Sequence, residues 1–222
     1  MSIFRDNGLL RSLASPHTKE LLVDTADTAF SALVESEALG GIPVFGAFYK
    51  AYGTIQTFQQ EFFVRKLLIF LNEGSDLSED ERQTLRTELE SSEDTEGLGT
   101  SLLVAIERSE DFQKPKIIAR LFRAYLQGHF KIAEFKRITM MVDRAFLEDL
   151  YYLKRISRKV MRYPDSVIEP TLSSLGFLTT PTGTEDTNGF LRTGGSPGRL
   201  TRYGEWLIEL GMSKGPIPAP SL

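Results

Sequence analysis

The chain has 222 residues, 41% of them hydrophobic and 25% charged, a composition that suits one large folded domain or two small ones. It has no cysteine, which excludes disulfides, thiol catalysis and thiolate metal sites, and only two histidines, His17 and His129, too far apart to suggest a zinc or triad site. The net charge of −4 hides two opposed blocks, with 13 acidic against 5 basic residues over 61–110 and 13 basic against 4 acidic over 114–162. Such blocks imply a basic face for an anionic partner or a contact between the two blocks, with solvated helix faces as the plain alternative.

Residues 1–16 read as a loose arm with a short apolar patch, and they lack the continuous apolar run of a secretory signal, so a cytoplasmic compartment is expected. From about Thr18 to Glu37 apolar residues recur at helical spacing, until Gly40-Gly41 breaks the pattern and Pro43 opens the next helix. The stretch from Ala38 to Gln60 then carries one charge, Lys50. As a helix rising about 1.5 Å per residue it would span roughly 34 Å, close to a bilayer core. Phe45, Phe48, Tyr52, Ile55 and Phe62 form one stripe, while Gly46 and Gly53 share another face and permit close helix–helix approach. The pattern predicts one helix running on to about Leu71. Three readings stay open for it: a conditional membrane segment, a buried central helix, or an oligomerisation helix. Gln56, Gln59 and Gln60 weigh against a constitutive span.

Ser78 and Glu81 have the spacing of a capping box and open an acidic helix to about Glu90. The acids around Asp76 lack the glycine and terminal glutamate of a calcium loop. Residues 91–99 read as a loop. A helix starting at Leu102 follows, then one with Pro115 in its first turn, on which Lys116, Arg120 and Arg123 share one side. A single long helix is expected from Ile132 to about Ile156, with Phe146 inward and Met140 and Met141 as core filler.

Beyond it come a short helix containing Pro170, a strand at 177–180, the glycine-rich stretch 188–200, and a final helix capped by Thr201. The tail from 213 is proline-rich. The pieces LSSLGFL and RLTRYGEWLIEL, within 147–212, resemble the winged helix-turn-helix superfamily. The fold class expected is therefore mainly α: N-terminal helices over 1–72, a helical bundle over 73–146, and a winged-helix-like unit over 147–212.

Nucleic-acid chemistry is concentrated there. Lys154, Arg158 and Arg162 lie on one helical stripe with Arg155 and Lys159 beside them, and Arg192, Arg199 and Arg202 flank the glycine-rich stretch. With Arg120 and Arg123 these ten are the candidate nucleic-acid-binding residues, by neutralising phosphates. The nominal recognition helix, 165–175, holds two acids and no base, so backbone contact or single-strand stacking is expected rather than groove readout. Tyr151, Tyr152 and Tyr163 are either stacking platforms or core-rim residues. The GGSPG run is no phosphate loop, because no lysine-bearing helix follows it. Nothing places a nucleophile, a base or a metal set together, so neither an enzyme nor a cofactor is expected.

In order, SALVESEALGGIPVFG, KLLIFLN, LSEDER and LFRAYLQG resemble membrane-acting effectors of bacterial anti-phage defence, of the Hailong type. The resemblance implies a homo-oligomer that permeabilises the inner membrane through its N-terminal part. Phe45, Gly46, Phe48, Tyr52 and Gly53 are the membrane or oligomer residues on this reading. The basic C-terminal part would be gated by a nucleotide or short, single-stranded DNA. The alternative is a soluble winged-helix transcription regulator that binds DNA.

Overall fold

The computed structural model describes residues 7–24, 37–53, 55–91, 93–159, 164–179 and 198–213. The chain is mainly α. Two short helices, α1 (Gly8–Ala14) and α2 (Pro16–Asp24), precede a 3-10 turn at Glu37–Gly41 and helix α3 (Pro43–Tyr52). Pro43 occupies the first turn of α3, where a missing N–H costs nothing. A second orphan donor there is met from another helix: the Val44 N–H donates to Ser12 Oγ of α1 at 3.0 Å. Ser12 Oγ itself donates to the Gly8 carbonyl at 2.7 Å, so one buried hydroxyl joins both helices.

The predicted long helix over 43–71 is broken. Gly53 turns left-handed with φ 73°, and a new helix, α4 (Phe58–Gly74), starts behind a complete capping box. Thr57 Oγ1 accepts the Gln60 N–H at 3.2 Å, and the Gln60 side chain accepts the Thr57 N–H at 3.1 Å. Glutamines that weaken a membrane span thus also start a helix. Among the described residues no helix is long and apolar enough to cross a membrane.

Helix α5 (Glu79–Ser91) has the expected capping box, with the Glu81 N–H donating to Ser78 Oγ at 3.2 Å and the Ser78 N–H to Glu81 Oε2 at 2.6 Å. Helix α6 (Glu93–Arg108) replaces most of the loop expected over 91–99. Its Gly99 is a packing residue: a Cβ there would sit 3.0 Å from Asn7 Oδ1 and 3.6 Å from Leu10. Close approach to α1 therefore outweighs the cost of glycine inside a helix.

Helix α7 (Lys114–Leu126) lies along α4, the two burying Phe70, Leu71, Ile118, Leu121 and Phe122. The single helix expected over 132–156 is two, α8 (Ile132–Arg144) and α9 (Leu147–Ser157), separated by extended backbone at Ala145 and Phe146. The break turns Phe146 outward, to 64% exposure, and Met140 is 45% exposed, so neither fills the core. Helix α10 (Ile168–Leu175) keeps Pro170 in its first turn, where no helical hydrogen bond is lost. Strands β1 (Leu178–Thr179) and β2 (Arg199–Leu200) pair antiparallel, Leu178 opposite Leu200. Helix α11 (Arg202–Trp206) continues as a π-helical turn, Leu207–Gly211, that packs on α7. One hydrophobic cluster runs from Leu9 through all of these elements to Met212.

Candidate nucleic-acid interface

Of the ten predicted contact residues, the eight that the structure describes separate into three groups. Arg120 and Arg123 turn toward the acidic block. Arg120 Nε donates to Glu73 Oε1 at 2.6 Å and its Nη1 to the Ser213 carbonyl at 2.8 Å. Arg123 meets Glu81 at 3.2 Å and Asp76 at 3.7 Å. Tyr125, on the same helix, and Gln127, at its C-cap, reach Glu88 and Glu81 respectively. The opposed charge blocks thus meet in part, where Arg120 and Arg123 of α7 face Glu73, Asp76 and Glu81 across its contact with α4 and α5. Burial opposes ionisation of Glu81, but the Ser78 N–H, the Gln127 amide and Arg123 overcome it and hold its carboxyl below the usual range.

Lys154, half-buried, and Arg202, exposed, are both engaged. Lys154 Nζ donates to the Met212 carbonyl at 2.8 Å, beside the Tyr151 ring at 5.8 Å. Arg202 pairs with Glu134 at 2.8 Å and lies 4.6 Å over the Trp206 ring, which in turn packs 5.0 Å from Phe130. Trp206 anchors the last helix.

Arg155, Arg158, Lys159 and Arg199 are exposed and have no carboxylate partner among the described residues. Three of them occupy the C-terminal end of α9, where cations complement the helix dipole. The fourth is on β2, which packs against α9. Arg158, Lys154, Ser157, Glu209, Met212 and Ser213 line a cleft of about 450 Å³. Arg162 and Arg192 lie outside the described residues, as do Tyr163 and most of the glycine-rich stretch. Of the tyrosines, Tyr151 is 44% exposed beside Lys154. Tyr152 is core: its hydroxyl donates to Glu169 Oε1 at 2.8 Å and accepts the Asp165 N–H at 2.9 Å.

A residue without any sequence signal sets the geometry of this edge. Glu169, buried on α10, accepts the Gly198 N–H at 2.8 Å through Oε2 and so ties the base of β2 to α9 and α10. Thr201 supplies the second tie. Its hydroxyl donates to the Gly176 carbonyl at 2.6 Å and accepts the Gly204 N–H at 3.3 Å, clamping α11 onto the corner before β1.

The proposed membrane or oligomer residues divide too. Phe45 and Phe48 are buried against α1 and the rest of the core, and Gly46 lies close under the Gly40 carbonyl. Gly53 is the C-cap of α3. Tyr52 is 47% exposed and, with Phe58 at 76%, borders an aromatic groove above the buried Lys66. Lys66 Nζ donates to the carbonyls of Glu107 and Ser109 at the end of α6. Burial lowers its pKa, against the pull of Glu107 and Asp111. Among the described residues no cluster of His, Asp or Glu could hold a metal ion. Compared with known proteins, the chain matches no family model, no curated protein and no solved structure.

Proposed function

We propose that residues 147–212 form a winged helix-turn-helix-like unit that binds the phosphate backbone of nucleic acid. The observation that carries this reading is the set of exposed, carboxylate-free cations Arg155, Arg158, Lys159 and Arg199 on two elements packed together. Arg162 and Arg192, by sequence, extend the same basic segments. Helix α10 contributes no base, and its Glu169 faces inward, so binding takes phosphates and a Tyr151 stack rather than base edges in a groove. Fluorescence anisotropy with labelled single-stranded and duplex oligonucleotides of several sequences tests it. Binding that varies little with sequence and weakens steeply with salt is expected. Absence of binding at low salt would refute it.

The exposed aromatic junction at Tyr52 and Phe58 supports a second reading, in which the nucleic-acid unit gates a membrane-acting effector of anti-phage defence. On this reading α3 must leave the core to expose Phe45 and Phe48, and the ligand controls that release. Liposome flotation with and without oligonucleotide separates the two. Protein that floats only in one arm supports a gated effector. Protein that stays at the bottom in both leaves the soluble nucleic-acid-binding protein.

A further inference from the structure

The aromatic groove between α3 and α4 has a volume of about 390 Å³, within the range of a ligand site. Tyr52, 5.0 Å from the Phe48 ring, comes from α3, and Phe58, stacked 5.8 Å from Phe62, comes from α4. Phe58 is 76% exposed, the most open of the large hydrophobic side chains among the described residues. The Lys66 ammonium below is committed to the Glu107 and Ser109 carbonyls, so the groove does not recruit an anion. It presents ring surface with two donors at its rim, the Tyr52 hydroxyl and the exposed Gln59 amide. Aromatic grooves of this kind recognise polyproline helices, whose rings pack on the aromatics and whose carbonyls have no internal partner.

This chain carries such a segment. Residues 216–220, Pro-Ile-Pro-Ala-Pro, come just after Ser213 in the sequence and lie outside the described residues. Their point of departure is held at α4. The Ser213 carbonyl accepts from Arg120 Nη1 at 2.8 Å, and Arg120 Nε donates to Glu73 of α4 at 2.6 Å. Glu73 follows Phe62 by 11 residues. That is about three helical turns and about 17 Å, so the two lie on one stripe of α4. Ile69, only half-buried, continues the stripe between them. A polyproline helix rising about 3.1 Å per residue carries Pro218 about 15 Å and Pro220 about 22 Å from Ser213. Phe62 and Phe58 lie about 17 Å and about 22 Å from Glu73 along α4, so tail and groove match in reach.

We infer that the proline-rich segment 216–220 folds back along α4 and docks in this groove, its rings packed on Tyr52, Phe58 and Phe62. The segment is a strap over the exposed aromatics. It needs little intrinsic affinity, because a short tether keeps its effective concentration in the millimolar range. Docking of this kind requires neither nucleic-acid binding nor membrane action.

Paramagnetic relaxation enhancement in the full-length protein tests this. The chain has no cysteine, so Ser221→Cys carries a single nitroxide beside Pro220. Relative to the same sample with the nitroxide reduced, broadening should concentrate at the amides of Gly53, Phe58, Gln59 and Phe62. Phe58→Glu removes an exposed ring and puts an acid in the first turn of α4, which suits the helix dipole. It should abolish most of the broadening with the melting temperature unchanged. Pro216→Gly/Pro218→Gly/Pro220→Gly should do the same by restoring backbone freedom to the segment. Broadening that is spread evenly over the surface, absent from the groove, or unaffected by both variants would overturn the docking. So would groove broadening in a mixture of spin-labelled chains with isotope-labelled chains that carry no nitroxide, because a second copy would then supply the segment.

Discussion

Glu169 of α10 and Gly198 at the start of β2 are joined by a buried 2.8 Å hydrogen bond across 29 residues of sequence. The other carboxylate oxygen holds the Tyr152 hydroxyl, so one acid connects α9, α10 and the second strand. Replacing it by glutamine substitutes an amide donor for one acceptor. Glu169→Gln should cost about 1–3 kcal/mol in urea unfolding and accelerate amide exchange at Gly198. Unchanged exchange at Gly198 would show that the tie does not hold the strand.

Tyr152 reports the same network by its titration. Burial first, then the neighbouring Glu169 and Asp165 carboxylates, push its hydroxyl from 10.0 up to about 12, against the Asp165 N–H, which favours the phenolate. A folded-state value above the unfolded one means that the contribution to stability is complete below pH 10 and is lost as pH rises toward 12. The ultraviolet titration should show a late tyrosine step near pH 12, and Tyr152→Phe should remove that step. A wild-type titration without the late step would contradict the arrangement.

Glu81 gives the opposite sign. Its folded value lies below the ordinary 4.5, so its contribution is complete above that pH and fades as pH falls through the folded value. Acidification below about pH 4.5 should lower the urea midpoint. Glu81→Gln should cost about 2–3 kcal/mol at neutral pH and flatten that acid loss. Parallel acid losses in the two proteins would place the titrating group elsewhere.

Gly204, in the first turn of α11, lies against the Phe177 carbonyl just before the first strand. A Cβ there would run into the Phe177 carbonyl and come within 3.0 Å of Leu200. Gly204→Ala should cost about 2 kcal/mol or more, because the obstacle is backbone that Thr201 also holds in place. A change below about 0.5 kcal/mol in the unfolding curve would mean that the helix rides free of the strand.

Capping chemistry was the most legible part of the fold. Ser78 and Glu81, Thr201 and Gly176 mark element ends through contacts within a few residues, and local sequence specifies those. The Thr57–Gln60 box is equally local, yet the apolar stripe from Phe45 to Phe62 runs through it and suggests continuity. Ala145 and Phe146 break a helix with neither proline nor glycine, and the only trace is an aromatic that ends exposed. Gly97 and Gly99 suggested a loop because glycine favours one, whereas Gly99 serves the approach of Leu10. For the basic candidates, sequence gave charge without direction. Arg120 and Arg123 point inward because Glu73, Asp76 and Glu81 are brought opposite them by packing of α4 and α5 on α7.

That inward orientation separates two kinds of arginine by experiment. Arg120→Ala should lower stability by about 1–2 kcal/mol, through loss of the Glu73 pair and the Ser213 carbonyl, with oligonucleotide affinity unchanged. Arg158→Ala should leave the unfolding curve within about 0.5 kcal/mol and weaken oligonucleotide binding. The reverse pattern would move the interface to α7.

The most direct measurement is the salt dependence of oligonucleotide affinity for the wild type and for Arg155→Ala/Arg158→Ala/Arg199→Ala. Each phosphate contact adds about 0.7 to the slope of log affinity against log salt for a single strand. The account predicts a wild-type slope that falls by about 2 in the triple variant, with the fold intact. A slope that the three substitutions leave unchanged would contradict a basic edge at α9 and β2.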